Sequence, residues 1–472
     1  MEDHLSSLDA AFWGMESREA PLRLGALAVF GAGARTRTAE ELAALLAQRA
    51  SALPRLRQVV RQGWNPLEAP RWHEVPWFDA RAHVEVRHLP AAARGLEAAA
   101  LEREAARAAC GALPEGAPPW RLHLFTGRRP EEGFALLAEF HHASVDGLRA
   151  MELGAALFDP MEVRGRTFGG PPEEGREGGG GEPVGGVLRY ADPRRAVDAV
   201  RAIAGLPGRI PGQVARTRRA AEIAASVAAT AAGNALHPQA SPLHAAVGPA
   251  ACGRAFAFPV LPLDAVHRIR KAHGGTVNDV LLALCAAALR HRIQAAGHDP
   301  AARPVRVLVP VSSRRRPGDP RLGNQLSGHL LRLPLGESDP LERLRLVREA
   351  MRAHKERGPR RGPGAFALLT DLVPPAAHRL AGPLLRESAP LLFDALATSV
   401  PLPDIPFTLD GAPLRALHPL APLAGGHQLA VAMTPYRGAV HFGLHGSADG
   451  ALPPAALAGA LHGALRELCA LS

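Results

Sequence analysis

FALLAEFHHASVDG, residues 134–147, decides how this chain is read. A mostly apolar run from Phe134 to Phe140 ends in two adjacent histidines, His141 and His142. A short loop carrying Asp146 and Gly147 follows, and then LRAMELGAALF, residues 148–158. The run has the length of a buried strand, and the segment after it has the apolar spacing of a helix. Open α/β folds place their chemistry where a strand gives way to a helix, so this junction is the candidate site.

On the residues alone, three readings of the junction are open. In the structural one, the histidines satisfy hydrogen bonds at a strand end and Asp146 caps the next helix. In the metal one, His and Asp four apart ligate a cation, although no third ligand lies nearby and no HxH or HExxH occurs. In the third, His142 is a general base: neutral imidazole titrates at about pH 6.5 and can take a proton from a hydroxyl. The chain has no G-x-S-x-G elbow and no cysteine in an activated setting. If the chemistry is acyl transfer, it need not pass through an acyl-enzyme: a base can activate an acceptor hydroxyl for direct attack on a reactive donor such as a thioester.

Outward from the junction the pattern is α/β on both sides. Residues 22–30 predict a strand, and residues 38–50 a helix with Thr38 as N-cap and Glu41 at the capping-box spacing. Residues 83–89 alternate like a half-buried strand, 96–109 are helical, and 121–126 pairs with 134–140 around the turn GRRPEEG. Residues 169–186, GGPPEEGREGGGGEPVGG, cannot bury apolar surface and predict a disordered linker. Residues 187–236 are helical in character, and Gln213–Ala232 is expected to pack across two domains rather than lie on a lipid interface. Then come a strand FAFPV, helices at 263–274 and 276–292, and a central, doubly buried strand PVRVLVPVSS at 304–313. A helix at 340–356, a hairpin at 428–434 and 438–445, and a last helix at 453–470 complete the pattern. The expected division is 1–165, a first domain; 166–250, linker and helical crossover; and 251–472, a second domain.

Composition fits two soluble-type domains of about 200 residues each. The 472 residues are 47% hydrophobic and 21% charged. The net charge is +10, but only Lys271 and Lys355 of the 55 basic residues are lysines, part of a general bias toward Ala, Arg, Gly and Pro. Aromatic residues make up 4%, which leaves few stacking platforms for bases, so no nucleic-acid partner is expected. An anionic membrane surface or substrate accounts for the charge. Cys110, Cys252, Cys285 and Cys469 form no CxxC pair, which predicts neither a zinc site nor a disulfide scaffold and fits a reducing cytoplasm. The start, MEDHLSSLDA, does not read as a signal peptide, and no run of about 18 large apolar residues predicts a spanning helix.

HHASVDG fits HHxxxDG, the motif of the superfamily that includes chloramphenicol acetyltransferase, peptide-synthetase condensation domains and bacterial wax ester synthase/diacylglycerol acyltransferases. The rest of the chain resembles the last of these. LSSLDAAFWGMESREAPLRLGALAVF resembles that family's LSxxDAxF…E…PMHVGxLxxF opening, APPW at 117–120 its PLW segment, and GGTVNDVLLALCAAALR its GxTxNDVxLAxxxxALR helix. LVPVSSR with GNQLSG resembles its VPVSxR…GN pair, and ATSVPLPDIPFTLDGAPL and PYRGAVHFGLHGSADG resemble its SNVPGPxxPxxLxGA and SYxGxxxFGLxxD segments. The matches cover nearly everything outside 165–250. Two departures stand out: Ser399 replaces the Asn and Leu402 the Gly of SNVPGP, and Leu402 is expected to narrow a pocket or block a close backbone approach.

The resemblance implies an α/β fold of two chloramphenicol-acetyltransferase-like domains, each a mixed sheet flanked by helices, with an active-site tunnel between them. It implies His142 as the base, His141 as its support or part of the wall, and Asp146 as a structural carboxylate. In condensation domains that Asp pairs with an arginine in an early LR segment. PRLRQ at 54–58 resembles it, so Arg57 is the implied partner, with a plain surface role as the other reading. Gly147 would allow a tight turn into the helix. Asn278 would line the tunnel or cap its own helix, and Gly323 and Asn324 would approach the substrate channel. The implied activity is O-acyl transfer from long-chain acyl-CoA to diacylglycerol or a fatty alcohol. No cofactor or metal is implied beyond acyl-CoA as co-substrate. The implied setting is the cytoplasm, with the inner membrane face or a lipid-droplet surface as docking partner. A non-catalytic lipid-interface homologue, or an acyltransferase for a carrier-bound or polyketide hydroxyl, are the alternatives.

Overall fold

Phe134–His141 is a strand buried at every position. It pairs antiparallel with Trp120–Thr126 across the polar turn and, on its other edge, with Arg23–Phe30. The structure, a computed structural model, describes residues 3–17, 21–32, 37–62, 68–90, 96–127, 132–163, 166–168, 211–235, 253–312, 324, 326–358, 363–372, 386, 389–423, 426–448, 450 and 452–472. The predicted linker at 169–186 and the stretch 187–210 lie outside these residues.

Numbered along the chain, the strands of the two main sheets are β1 (Arg23–Phe30), β2 (Val84–His88), β3 (Trp120–Thr126), β4 (Phe134–His141), β5 (Arg254–Ala257), β6 (Val260–Pro262) and β7 (Val305–Ser312). They continue with β8 (Leu326–Leu333), β9 (Ala395–Ser399), β10 (Thr408–Leu409), β11 (Ala412–Leu420), β12 (Leu429–Tyr436) and β13 (Ala439–Ser447). The helices are α1 (Ser7–Met15), α2 (Ala39–Ser51), α3 (Ala98–Cys110), α4 (Gly147–Ala156), α5 (Pro211–Ala235), α6 (Leu263–His273), α7 (Val277–Ala295), α8 (Pro340–Arg357) and α9 (Pro454–Cys469).

The first sheet runs β10-β11-β1-β4-β3-β2 and the second β5-β13-β12-β9-β7-β8, with β6 beside β13. Both mix parallel and antiparallel pairs, so the α/β class is as the sequence predicts. One face of the first sheet packs on α2 and α4, with Phe30, Phe134, Phe140 and Trp120 in its core. The other face packs on α3 through Leu27, Phe125 and Leu137. The second core forms around α7, apolar on nearly every side from Val280 to Leu289. Val305, Val307 and Val309 of β7 face that core while Leu308 meets Ala389 and Phe393 on the other side. Strand β7 is therefore covered on both faces as expected, although it lies one strand in from the sheet edge rather than at the centre.

Local chemistry explains the boundaries. Thr38 and Glu41 exchange both capping-box bonds at the start of α2. The β12–β13 hairpin turns at Arg437 and Gly438, both with positive φ (50° and 78°), as a two-residue turn of matching twist requires. Helix α5 packs on the short 3-10 turn Pro363–Leu372, with Ile223 buried.

Two findings depart from the sequence reading. Strands β10 and β11, from the C-terminal third, complete the first sheet: β11 pairs with β1 from Leu414 opposite Phe30 to Leu420 opposite Gly25. This covers an edge of β1 that would otherwise present unpaired backbone groups. And Cys110 is disulfide-bonded, against the expectation of reduced thiols, while Cys285 and Cys469 are free. Among the described residues no single helix is long and apolar enough to cross a membrane.

Candidate active site

The site is built where α1 meets the end of β4. Ser6 Oγ accepts the Asp9 N–H and starts α1. Asp9, Phe12 and Trp13 are three and four apart and share one face of that helix. The Phe12 ring stacks on His142, with centroids 4.4 Å apart, and Trp13 lies 4.6 Å from His141. Strand alternation then sends the two histidines to opposite sides of the sheet.

His141 is buried on the α3 side. Its Nδ1 accepts the Ala143 N–H at 3.0 Å, so the proton sits on Nε2, which lies 2.9 Å from Glu16 Oε2. Burial alone would raise the Glu16 carboxyl; the His141 hydrogen bond and the positive charges of Arg23 and Arg254 outweigh it and hold the carboxyl below its usual value. Close by, Glu139 meets Arg23 (3.7 Å) and His123 (3.3 Å). His141 is thus one member of a buried polar network and does not face the cavity.

His142 does face it. Its backbone N–H donates to the Leu22 carbonyl at 2.8 Å, continuing the strand pairing by one residue. Burial pushes its imidazole down to about 4, with the carbonyl of His142 itself and the charge of Asp146 only partly opposing. The ring is therefore neutral at physiological pH. Asp146 is the N-cap of α4: its Oδ1 accepts the Arg149 N–H at 2.9 Å, as in the capping role weighed for it. A cap of this kind contributes about 1 kcal/mol. Gly147 is the first residue of α4, and its backbone is not left-handed, so the expected glycine-only turn does not occur. What its size provides is room, since a Cβ would sit 3.5 Å from Val400.

The remaining candidates move. Arg57 forms its ion pair with Glu74 (2.5 Å) and not with Asp146. The reason is register: strand Gln58–Arg61 sets Gln58 opposite Glu74, and the Val75 N–H donates to the Arg57 carbonyl. The arginine that reaches the motif loop is Arg55, whose Nε donates to the Ser144 carbonyl at 2.8 Å while its guanidinium lies over Trp72. Asn278 is half-buried in the first turn of α7 and lines no part of the cavity; Thr276 caps that helix, with Asp279 returning the bond. Gly323 lies outside the described residues. Asn324 is buried, and its Nδ2 donates to the His142 carbonyl (2.6 Å) and to Asp9 Oδ1 (2.5 Å). It braces the backbone of His142 rather than lining the cavity.

The cavity beside His142 holds about 430 Å³. One wall is β1 and β4, with Leu24, Leu136 and Phe140; the other is Thr398–Leu402 together with Pro310 and Val311 of the second sheet. Leu402 does line it, as the altered SNVPGP segment suggested. Its size and apolar lining, with a few polar groups, are those of a small-molecule site. Sequence reasoning named the histidines and Asp146 but not Asp9, Phe12, Trp13, Glu16 or Arg55. The Ser6-x-x-Asp9 spacing marks a helix start and was available as a signal.

The wax ester synthase/diacylglycerol acyltransferase catalytic-domain model matches residues 5–281, and the WS/DGAT C-terminal domain model matches residues 322–469. A probable diacylglycerol O-acyltransferase of Mycobacterium tuberculosis, tgs1, is 30% identical over 472 residues, covering 100% of this chain and 96% of that protein. The wax ester synthase/diacylglycerol acyltransferase of Marinobacter aquaeolei VT8 superposes with a TM-score of 0.67 at 23% identity, over 98% of each chain. The first condensation domain of the calcium-dependent antibiotic synthetase superposes with a TM-score of 0.58 at 17% identity, over 100% of this chain and 96% of that one, a likeness of fold.

Proposed function

The chain belongs to the wax ester synthase/diacylglycerol acyltransferase family and is an acyltransferase, and from that premise we propose that it esterifies diacylglycerol with a long-chain acyl group from acyl-CoA. Fatty alcohol is the second acceptor, giving wax ester. His142 Nε2 takes the proton of the acceptor hydroxyl. The oxygen attacks the thioester carbonyl carbon, the tetrahedral oxyanion collapses, the C–S bond breaks, and the departing thiolate takes the proton back from the imidazolium. The protein ends the cycle in the state it began, and no cofactor enters. His141, turned to Glu16, supports the loop, and Asp146 fixes α4 beneath it.

One observation carries the reading: a neutral imidazole opening on an apolar cavity shared by both halves of the chain. An unprotonated base is what hydroxyl activation needs, and the apolar walls suit acyl chains and exclude water. Both acceptors are membrane-borne lipids, so the reading extends to work at the cytoplasmic membrane face or a lipid-droplet surface. The test is CoA release from palmitoyl-CoA by purified His142→Ala, with diacylglycerol and with hexadecanol. Loss of about 10²- to 10⁴-fold in turnover is expected; near-normal turnover sinks the base assignment.

A further inference from the structure

We propose that Asp9 is a positioning residue that holds His142 through Asn324, locking the base to the second half of the chain. This rests on the reading of His142 as the base. Asp9 is itself buried, 1% exposed, and lines no part of the cavity, so it does not meet substrate. Its Oδ1 accepts two donors from Asn324, the backbone N–H at 3.0 Å and Nδ2 at 2.5 Å. The same Nδ2 gives its other hydrogen to the His142 carbonyl at 2.6 Å. An amide nitrogen has two hydrogens, so this group is saturated and its plane is fixed at both ends. Burial pushes the Asp9 carboxyl up, and the donors from Asn324 and Ser6, with the charge of Arg55, hold it partly back.

The geometry specifies the base rather than the fold alone. One turn further along α1, Phe12 stacks on the His142 ring. Helix α1 thus grips the residue twice, at the ring directly and at the carbonyl through Asn324. Since Asn324 lies between β7 and β8 of the second half, the contact ties motif, helix and second sheet at a single point. Misplacing a base by a fraction of an ångström costs turnover more than binding.

The experiment is steady-state kinetics on the full chain with palmitoyl-CoA and hexadecanol, with melting temperatures measured alongside. Asp9→Ala and Asn324→Ala are each expected to lower kcat about tenfold with KM little changed. The double variant is expected to be no worse than either single one, because the two act as a unit. Asp9→Asn, which keeps the accepting oxygen, is expected to stay within about twofold of the parent. The exchanged pair Asp9→Asn with Asn324→Asp separates packing from positioning: it can rebuild the contact between positions 9 and 324 but has no donor for the His142 carbonyl. A recovered melting temperature with kcat still down supports the proposal, and this variant decides if Asp9→Ala does not fold. Unchanged kcat in folded Asp9→Ala, additive losses, or full kcat in the exchanged pair overturns it. His142→Ala in the same assay tests the underlying reading separately: if it is inactive while Asp9→Ala is normal, only the positioning role fails.

Discussion

Adjacent side chains on a strand point to opposite faces, and His141 and His142 take opposite chemistry from that fact. His141 enters a network of carboxylates and arginines, and His142 enters a cavity of hydrocarbon. The low proton affinity of His142 has a kinetic signature. Its imidazole, pushed down to about 4, stays neutral well below the ordinary histidine range. With the fold intact by circular dichroism, kcat/KM is expected to be flat from about pH 8 to about pH 5.5, where a base of ordinary histidine pKa would lose about tenfold. An acid limb centred near the ordinary histidine value would contradict the environment described for His142. The alternation was legible in the sequence, because a strand ending in HH must split the pair. The partners were not: Phe12, Asp9 and Glu16 lie some 130 positions away, and only the tertiary fold brings them to the motif.

At the scale of one element, α4 does more than follow the motif. Gly147, Ala150, Met151, Gly154 and Ala155, with Phe158 just past the helix end, all line the cavity, at the helical spacing of one face. Five of the six are no larger than methionine and four have a single carbon or none beyond Cα, so the helix forms a groove about 10 Å long between Gly147 and Gly154. A Cβ on Gly154 meets nothing within 4 Å, and its backbone is of a kind that any residue adopts. Gly154→Leu is therefore expected to fold, to lower kcat/KM for palmitoyl-CoA on the order of tenfold or more, and to spare octanoyl-CoA. Equal loss on both donors would show that the groove does not hold the acyl chain. The helix itself was readable from LRAMELGAALF. Its groove was not, since small residues at regular spacing look the same whether they pack against a neighbour or leave space. Helix α1 shows the same limit: the Ser6-x-x-Asp9 spacing marks its start, and packing assigns its faces.

For the molecule as a whole, acid is the expected weakness. Burial pushes His418 and His445 down to about 3, and His354 to about 4. A histidine whose folded value lies below its unfolded value of about 6.5 favours the unfolded chain as pH falls through that unfolded value. Glu16 and Glu139, held low by their partners, add to the loss at lower pH, while Asp9 and Glu102, raised by burial, act the other way. Between about pH 7.5 and about pH 5 the histidines titrate first, so the melting temperature is expected to fall across that window. A constant or rising value by calorimetry contradicts neutral burial of these rings. The two α/β halves were legible from alternating strand and helix patterns. Their interlock was not, because β11 carries Pro413 and Pro419, which argue against a strand.

That interlock also bears on how the protein is made. Leu27 of β1 is registered opposite His418 of β11, a separation of 391 positions (418 − 27). At about 5–20 residues per second, a ribosome needs roughly 20–80 s to deliver the second strand after the first. Throughout that interval the apolar strand RLGALAVF has an open edge on the nascent chain. Yield in a heterologous host should therefore depend on chaperones that shield nascent strands, and on how fast translation reaches residue 420.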